Sequence, residues 1–119
     1  FNYELMKKLN DGKQMKDVWR GPLTSQKEKT CGKHPTQKPI RILERMIKLA
    51  SKEGDIMLTP FSGSGSECVA AKMTGRKYIG IELDNSYCEI ATERLNYFEE
   101  YGYQLGQFSL NLFKSEAAR

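Results

Sequence analysis

Two stretches decide the fold of this chain: residues 33–39, KHPTQKP, and, about twenty positions later, residues 58–66, LTPFSGSGS. The second stretch ends a short apolar segment with a turn in which glycine alternates with serine, and residues 67–73 follow as a predicted helix. Another apolar segment, residues 77–81, is predicted as a strand and is followed directly by Glu82. A strand, a glycine turn, a helix and a second strand that ends in an acid are typical of nucleoside-binding proteins. The succession predicts a parallel α/β layer with right-handed crossovers.

Apolar residues at helical spacing predict helices on the N-terminal side of the glycine turn. Phe1, Leu5 and Leu9 indicate a short helix that ends in the turn at residues 10–12. A longer helix is predicted to begin at Pro39, since proline suits the first turn of a helix. The expected apolar side of this helix consists of Ile40, Leu43, Ile47 and Ala50, and the expected solvent side of Arg41, Glu44, Arg45 and Lys48.

The remaining elements are predicted from short local patterns. Residues 56–58 are wholly apolar and are bounded by turn residues, which predicts a short buried parallel strand. Gly75 is expected to end the helix after the glycine turn, because a left-handed residue is common there. Ser86 and Glu89 form a capping-box pattern at the start of another helix. Apolar residues alternate over residues 108–112, as they would in a strand.

Composition narrows the classes of protein to which the chain can belong. Its 119 residues suffice for one compact domain or part of one. No apolar run approaches the roughly 18 residues of a membrane span, and no signal peptide is recognisable, so we expect no membrane association. Three cysteines without a CxxC pair argue against a disulfide framework, and one histidine without ligand-like spacing argues against a metal site. We therefore expect a cytoplasmic protein without a bound metal.

Charge is distributed unevenly along the chain. Residues 1–48 carry twelve lysines or arginines against five acidic residues, whereas residues 49–119 carry seven against ten. A basic front half indicates contact with a polyanion such as nucleic acid. Lysine-rich segments are also common on ordinary solvated surfaces, so charge alone leaves both interpretations open.

The glycine turn has the residue types that a nucleoside ligand with a carboxylate requires. Gly63 and Gly65 let the backbone approach a ligand closely, and serines at the start of a helix favour a bound carboxylate. Glu82 lies seventeen residues after Gly65, which suits an acid that accepts from ribose hydroxyls. Cys68 stands where a dinucleotide fingerprint has its third glycine, and no GxxxxGK[ST] phosphate loop is present. A ligand with a ribose and a carboxylate but no pyrophosphate fits best, and S-adenosylmethionine is such a ligand; an ordinary tight turn is the alternative.

Taken together, the two stretches resemble the cofactor site of permuted (beta-class) DNA methyltransferases that modify adenine N6 or cytosine N4. The resemblance runs from about residue 17 to about residue 95 and implies S-adenosylmethionine as the cofactor. It also implies part of the Rossmann-like parallel α/β sheet of the S-adenosylmethionine-dependent methyltransferases. The family places Thr36 and Lys38 against the methionine end of the cofactor, Phe61 at the pocket border, Ser66 at the carboxylate and Glu82 at the ribose. The chain departs from the family at Thr59, where an aspartate is usual.

The residues that grip the target base in this family are absent from the chain. The family uses an Asp-, Asn- or Ser-Pro-Pro-aromatic tetrapeptide, whereas the four prolines here are all separated from one another. The resemblance therefore implies that this chain is the C-terminal portion of such an enzyme and carries no catalytic residues. We expect the chain alone to be inactive. Its expected partner is the missing N-terminal catalytic half of the same enzyme or a second chain. We expect residues 1–32 to end a target-recognition or linker region, residues 33–100 to bind S-adenosylmethionine and residues 101–119 to form a tail.

The sequence thus predicts two sets of functional residues. The predicted cofactor site consists of Thr36, Lys38, Thr59, Phe61, Gly63, Ser64, Gly65, Ser66 and Glu82. The predicted contacts with double-stranded DNA are Lys13, Lys16, Arg20, Lys27, Lys29 and Lys33. Trp19 in the same region is also a candidate for a DNA-facing position, but a packing anchor is favoured. Adenine N6 is favoured over cytosine N4, because the stretch around residues 17–19 and the loop at residues 33–39 most resemble adenine enzymes. The alternatives are a non-catalytic cofactor- or DNA-binding remnant and a methyltransferase that acts on a substrate other than DNA.

Overall fold

The structure is a computed structural model that describes residues 2–98, apart from the side chain of Lys27. The strand predicted at residues 108–112 and the predicted tail, residues 101–119, lie outside the described residues. The elements in chain order are α1 (Tyr3–Leu9), a 3-10 turn (Gln26–Lys29), α2 (Ile40–Ala50), β1 (Ile56–Thr59), α3 (Ser66–Met73) and β2 (Lys77–Gly80). A further helix, α4, contains residues 85–98. Within the described part of the chain, no helix is long and apolar enough to cross a membrane.

Among the described residues, the sheet consists of two parallel strands joined by α3. β1 pairs with β2 so that Ile56 lies opposite Lys77 and Thr59 lies opposite Gly80. Beyond the strands, the Ile81 amide donates to the Thr59 carbonyl and the Ser62 amide to the Ile81 carbonyl, both at 2.9 Å. Because the strands are parallel, the glycine turn after β1 and Glu82 after β2 meet at one edge of the sheet.

The core lies between α2, α3 and one face of the sheet. Its buried residues come from the two helices and are Ile40, Ile47, Val69, Ala70 and Ala71. Met57 of β1 and Tyr78 of β2 pack against them from the sheet, and Leu95 packs from α4. The small side chains of α3 let this helix lie close to its neighbours, and all of the residues from Cys68 to Ala71 are buried.

None of residues 2–98 covers the opposite face of the sheet, which corrects the expectation of a buried strand at residues 56–58. Successive side chains of a strand point to opposite faces, so Met57, Thr59 and Tyr78 face the helices. The side chains on the other face are largely exposed: Ile56 at 64%, Leu58 at 60%, Ile79 at 52% and Ile81 at 53%. Parallel sheets are ordinarily covered on both faces, and this one is covered on one face within residues 2–98.

The predicted solvent side of α2 is also partly covered. Glu44 is buried at 5% exposure and accepts from Lys48 Nζ at 2.7 Å, whereas Ala50 of the predicted apolar side is exposed. The N-terminal segment contacts the C-terminal end of this helix. The Asn2 side chain donates to the carbonyls of Lys48 and Ser51. The periodicity of α2 predicted its inward residues Ile40 and Ile47. Glu44, four residues after Ile40 and three before Ile47, lies on the same side of the helix and is buried with them.

Two helix starts differ from the sequence prediction. Pro39 is the N-cap of α2 rather than its first residue. At the start of α4 the predicted Ser86 capping box is wrong, because Asp84 caps the helix. Asp84 Oδ1 accepts from the Ser86 amide at 2.8 Å and from the Ser86 hydroxyl, which lowers the pKa of Asp84. Asp and Ser are both strongly preferred as N-caps, and the sequence prediction considered only Ser86.

Candidate functional site

A shallow cleft lies between the loop at residues 34–38 and the glycine turn. Its volume is about 90 Å³, and it is lined by His34, Thr36, Gln37, Lys38, Phe61, Ser62, Gly63, Ser64, Ser66 and Glu67. Pockets that enclose a whole ligand usually measure at least about 300 Å³. The cleft therefore has room for one end of a ligand, whose remainder would extend over the open edge of the sheet.

The loop that forms one wall of the cleft is held in place by side chains. Gln37 is buried, and its Nε2 donates to the Glu28 carbonyl at 2.7 Å, while the Thr24 hydroxyl donates to the Gln37 carbonyl at 2.7 Å. His34 Nδ1 accepts from the Thr36 amide at 3.2 Å, and the His34 ring lies 4.3 Å from the ring of Tyr87. The two bonds of Gln37 join residues on opposite sides of the boundary predicted at residue 32. They leave Thr36 and Lys38 exposed at the cleft.

Glu82 joins the glycine turn to the end of β2. Its Oε2 accepts from the Gly63 amide at 2.8 Å, and its Oε1 accepts from the amides of Leu83 and Asp84 at 2.8 and 3.0 Å. The Asp84 amide above all, with those of Gly63 and Leu83, lowers the pKa of the half-buried Glu82 carboxyl. A carboxylate has about four lone-pair positions, so an acceptor position remains beside the turn. Glu82 is adjacent to the cleft without lining it.

The two glycines of the turn are required by packing within the protein. Gly65 has a φ of +72°, and a Cβ there would lie 2.7 Å from the Ala91 Cβ of α4. Gly63 has a φ of +52°, and a Cβ there would lie 3.0 Å from His34 Nε2. The sequence interpretation assigned both glycines to close ligand approach. The structure places Gly63 at the cleft, whereas Gly65 does not line the cleft and lies against Ala91 of α4.

Thr59 lies away from the cleft, contrary to the sequence prediction. Its side chain is buried at 8% exposure, and its hydroxyl lies 3.4 Å from Cys68 Sγ and 3.4 Å from the Ile79 carbonyl. The alternation of β1 explains this position, since Thr59 faces α3 as Met57 does. Phe61, two residues on, is 93% exposed at the rim.

Arg94 of α4 contacts the glycine turn, and this contact was not predicted from the sequence. Its Nη1 donates to the Ser64 carbonyl at 2.6 Å and to the hydroxyls of Ser64 and Ser66 at 3.0 and 2.9 Å. Burial lowers the pKa of Arg94, and nearby Glu28 partly offsets that effect. No local pattern could reveal this contact, because thirty residues separate Arg94 from Ser64.

A family model described as DNA methylase matches residues 2–93 of the chain. The chain belongs to this DNA methylase family. Type II methyltransferase M2.LlaDCHI of Lactococcus lactis subsp. cremoris is 59% identical over 102 residues, 86% of this chain and 38% of that protein. Type II methyltransferase M2.DpnII of Streptococcus pneumoniae is 59% identical over 95 residues, 80% of this chain and 35% of that protein. This methylase chain thus spans little more than a third of the length of the curated relatives it matches.

Solved methyltransferase structures share the fold of this methylase chain. The M1.HpyAVI–SAM complex superposes with a TM-score of 0.53 at 44% identity, covering 54% of this chain and 31% of that one. M1.HpyAVI in a second crystal structure gives a TM-score of 0.50 at 40% identity, covering 53% of this chain and 32% of that one. The comparisons confirm the family and the fold class that residues 33–39 and 58–66 predicted.

The basic residues predicted to contact DNA lie in the segment between α1 and α2 of the methylase. Exposed side chains among them are Lys13, Lys16, Arg20 and Lys33. Lys29 is half-buried, and the side chain of Lys27 lies outside the described part of the structure. Trp19 is half-buried, donates from Nε1 to the Lys16 carbonyl at 2.7 Å and lies under the Arg45 guanidinium at 5.9 Å. These contacts favour a packing role for Trp19.

Proposed function

We propose that this chain is the S-adenosylmethionine-binding part of a site-specific DNA methyltransferase of the restriction-modification type. The enzyme would methylate an exocyclic amino group, adenine N6 in preference to cytosine N4. The observation that carries the proposal is the meeting of the glycine turn, Glu82 and the Thr36–Lys38 loop at the carboxyl edge of β1 and β2. Ligands of open parallel sheets bind at this edge. A cytoplasmic location, where the enzyme would meet its DNA, is part of the proposal.

The proposed cofactor spans from the cleft to the end of β2. Its carboxylate would lie at Ser64 and Ser66, at the N-terminus of α3, where hydroxyls, amides and the helix dipole favour an anion. Lys38 and Thr36 would flank the methionine end. Glu82 would accept from the ribose hydroxyls with its remaining lone-pair position. When bound, the cofactor supplies a methyl group on a positively charged sulfur, and these residues hold both of its ends so that the methyl group has one orientation.

The remaining predicted cofactor residues have supporting or bordering positions in this proposal. Thr59 and Gly65 would support the turn through Cys68 and Ala91 rather than touch the ligand. Phe61, exposed at the rim, would cover the bound cofactor. Gly63 would bring the backbone to the ligand beside Glu82.

The second part of the proposal concerns the rest of the enzyme. The chain has no Pro-Pro-aromatic tetrapeptide and spans little more than a third of its curated relatives, so we propose that an N-terminal catalytic half supplies the base-gripping residues. That half would pack on the uncovered face formed by Ile56, Leu58, Ile79 and Ile81, since exposed apolar faces of this kind are ordinarily interaction surfaces. The basic segment before α2 would contact the DNA phosphates, which give affinity without sequence information.

Titration calorimetry with S-adenosylmethionine tests the cofactor proposal. Glu82→Ala should weaken binding roughly ten- to a hundredfold, because the ribose hydroxyls lose a charged acceptor. Glu89→Ala is the matched control, since Glu89 is an exposed acid on α4. Circular dichroism checks that each variant is folded. Unchanged affinity in a folded Glu82→Ala chain would favour a non-catalytic remnant instead.

Methyl transfer tests the division into two halves. Incubation of this chain with labelled S-adenosylmethionine and unmethylated DNA should give only background incorporation, because the base-gripping residues are absent. Addition of the N-terminal half should restore transfer, and hydrolysis of the labelled DNA then distinguishes methylated adenine from methylated cytosine. Incorporation by this chain alone would refute the proposed division.

A further inference from the structure

The guanidinium of Arg94 is buried directly beneath the glycine turn. Arg94 is 4% exposed, and its Nη1 makes all three of its hydrogen bonds to oxygens of Ser64 and Ser66. Its Nη2 is buried and has no hydrogen-bond partner within residues 2–98. No carboxylate among the described residues forms an ion pair with it. Glu28 and Glu67 attract its charge only from beyond ion-pair distance. A buried guanidinium with an unbonded nitrogen and no direct ion pair is costly, which indicates a role beyond packing.

The hydrogen bonds from Arg94 determine whether the two serine hydroxyls can donate to a ligand. A hydroxyl oxygen that accepts from arginine keeps its own proton for donation elsewhere. Both serines line the cleft, and their hydroxyl oxygens are 3.5 Å apart, which is long for a bond between them. Each hydroxyl can therefore donate into the cleft. The positive charge of Arg94 lies one hydrogen bond behind them.

We propose that Arg94 is a positioning residue that makes the cleft selective for the carboxylate end of its ligand. It holds the hydroxyls of Ser64 and Ser66 as donors that face the cleft, and it supplies a buried positive charge without touching the ligand. The inference rests on the proposed function, since the ligand is taken to be S-adenosylmethionine. The competing explanation is that Arg94 only fastens α4 to the turn.

Two ligands that differ at the amino-acid end separate these explanations. S-adenosylhomocysteine carries the carboxylate, and 5′-methylthioadenosine has the same nucleoside and sulfur without it. Arg94→Gln should weaken S-adenosylhomocysteine binding about tenfold or more, because its carboxylate loses charge-assisted donors. Binding of 5′-methylthioadenosine should change less than about twofold, since its affinity depends on the ribose end. The ratio of the two dissociation constants, measured by titration calorimetry, is the readout.

The chain offers a matched control in Arg76. Arg76 is also buried, at 7% exposure, and donates to the Thr74 carbonyl and to both oxygens of Ser51, none of which lines the cleft. Arg76→Gln disturbs the fold in a comparable way but should leave the ratio unchanged. Arg94→Lys keeps the charge and should recover part of the ratio that Arg94→Gln loses.

Each outcome decides for or against the inference. Equal weakening of both ligands in Arg94→Gln, or an unchanged ratio, would show that Arg94 only fastens α4 and would overturn it. If Arg94→Gln does not fold, Ser66→Ala replaces it, with the same expectation that only the carboxylate ligand is weakened. An unchanged ratio in folded Ser66→Ala would again overturn the inference. A wild-type chain that binds neither ligand would refute the proposed function, and the inference with it.

Discussion

Replacement of Gly65 by alanine should destabilise the chain through two separate effects. The left-handed conformation of Gly65, at φ +72°, costs an L-residue about 1–2 kcal/mol. The new Cβ would also lie 2.7 Å from the Ala91 Cβ and 3.2 Å from the Ala91 Cα. Overpacking of this kind costs about 1–3 kcal/mol. Gly65→Ala should therefore lower the free energy of unfolding by roughly 2–5 kcal/mol.

Three further variants separate the backbone effect from the packing effect. Gly12 has a similar φ of +74° with no atom within 4 Å of an added Cβ, so Gly12→Ala should cost only the backbone part, about 1–2 kcal/mol. Ala91→Gly removes the methyl group that the new Cβ would meet. The Gly65→Ala, Ala91→Gly double variant should recover part of the lost stability, after allowance for about 1 kcal/mol for glycine within a helix.

Urea unfolding followed by circular dichroism measures all four free energies in a double-mutant cycle. A coupling between positions 65 and 91 is expected, because the two side chains would compete for the same space. If Gly65→Ala costs no more than Gly12→Ala, or if the coupling is zero, Gly65 is not required for the packing of α4. The close-approach role that the sequence suggested for Gly65 would then be the better explanation.

Three other predictions follow from Glu82, the basic segment and the uncovered sheet face. The pKa of Glu82 is lowered in the folded state, so its carboxylate stabilises the fold above its ordinary pKa of about 4.3, and this contribution is lost as the pH falls. The urea midpoint of the wild type should therefore fall more between pH 7 and pH 3 than that of Glu82→Gln; equal falls would contradict the bonds to Gly63 and Asp84. In the complete enzyme, replacement of Lys13, Lys16 and Arg20 by glutamine should reduce the salt dependence of DNA binding by up to about 0.9 in log–log slope for each phosphate that is no longer neutralised. Lys52→Gln is the control for this triple variant, since Lys52 is exposed. An unchanged slope in the triple variant would show that these three residues do not contact the DNA. Leu58→Lys should change the stability of this chain by less than about 0.5 kcal/mol, because the side chain is 60% exposed, yet it should abolish co-purification with the N-terminal half. Retained co-purification would exclude this face as the contact.

The elements that the sequence predicted correctly depend on neighbouring residues. Residues 67–73 were predicted as a helix, and α3 is Ser66–Met73. Gly75 was expected to be left-handed and has a φ of +73°. The parallel pairing of β1 with β2 was predicted from the strand–turn–helix–strand order and is confirmed. Periodicity and turn chemistry act over a few residues, so they can be read without a tertiary structure.

The features that the sequence missed depend on contacts between distant residues. Glu44 is buried because it shares the inward side of α2 with Ile40 and Ile47, and Thr59 faces α3 because of its place in the strand alternation. The bonds from Arg94 to Ser64 and Ser66 join α4 to the turn across about thirty positions. The predicted site residues around the cleft, Thr36 and Lys38 among them, stay predictions until a ligand is bound.

Nuclear magnetic resonance with S-adenosylmethionine tests the central claim most directly, because it shows where on the chain the cofactor binds. A second cavity of about 430 Å³ lies between α1 and residues 14–19, with Trp19 and Met6 among its lining residues, and it shares none of them with the cleft. Trp19 is the only tryptophan, so its indole N–H gives a unique signal for that cavity. On titration, the amide signals of Gly63, Ser64 and Ser66 should shift while the Trp19 indole signal stays unchanged. Shifts confined to Trp19 and α1, or no shifts at all, would contradict the assignment of the cleft as the cofactor site.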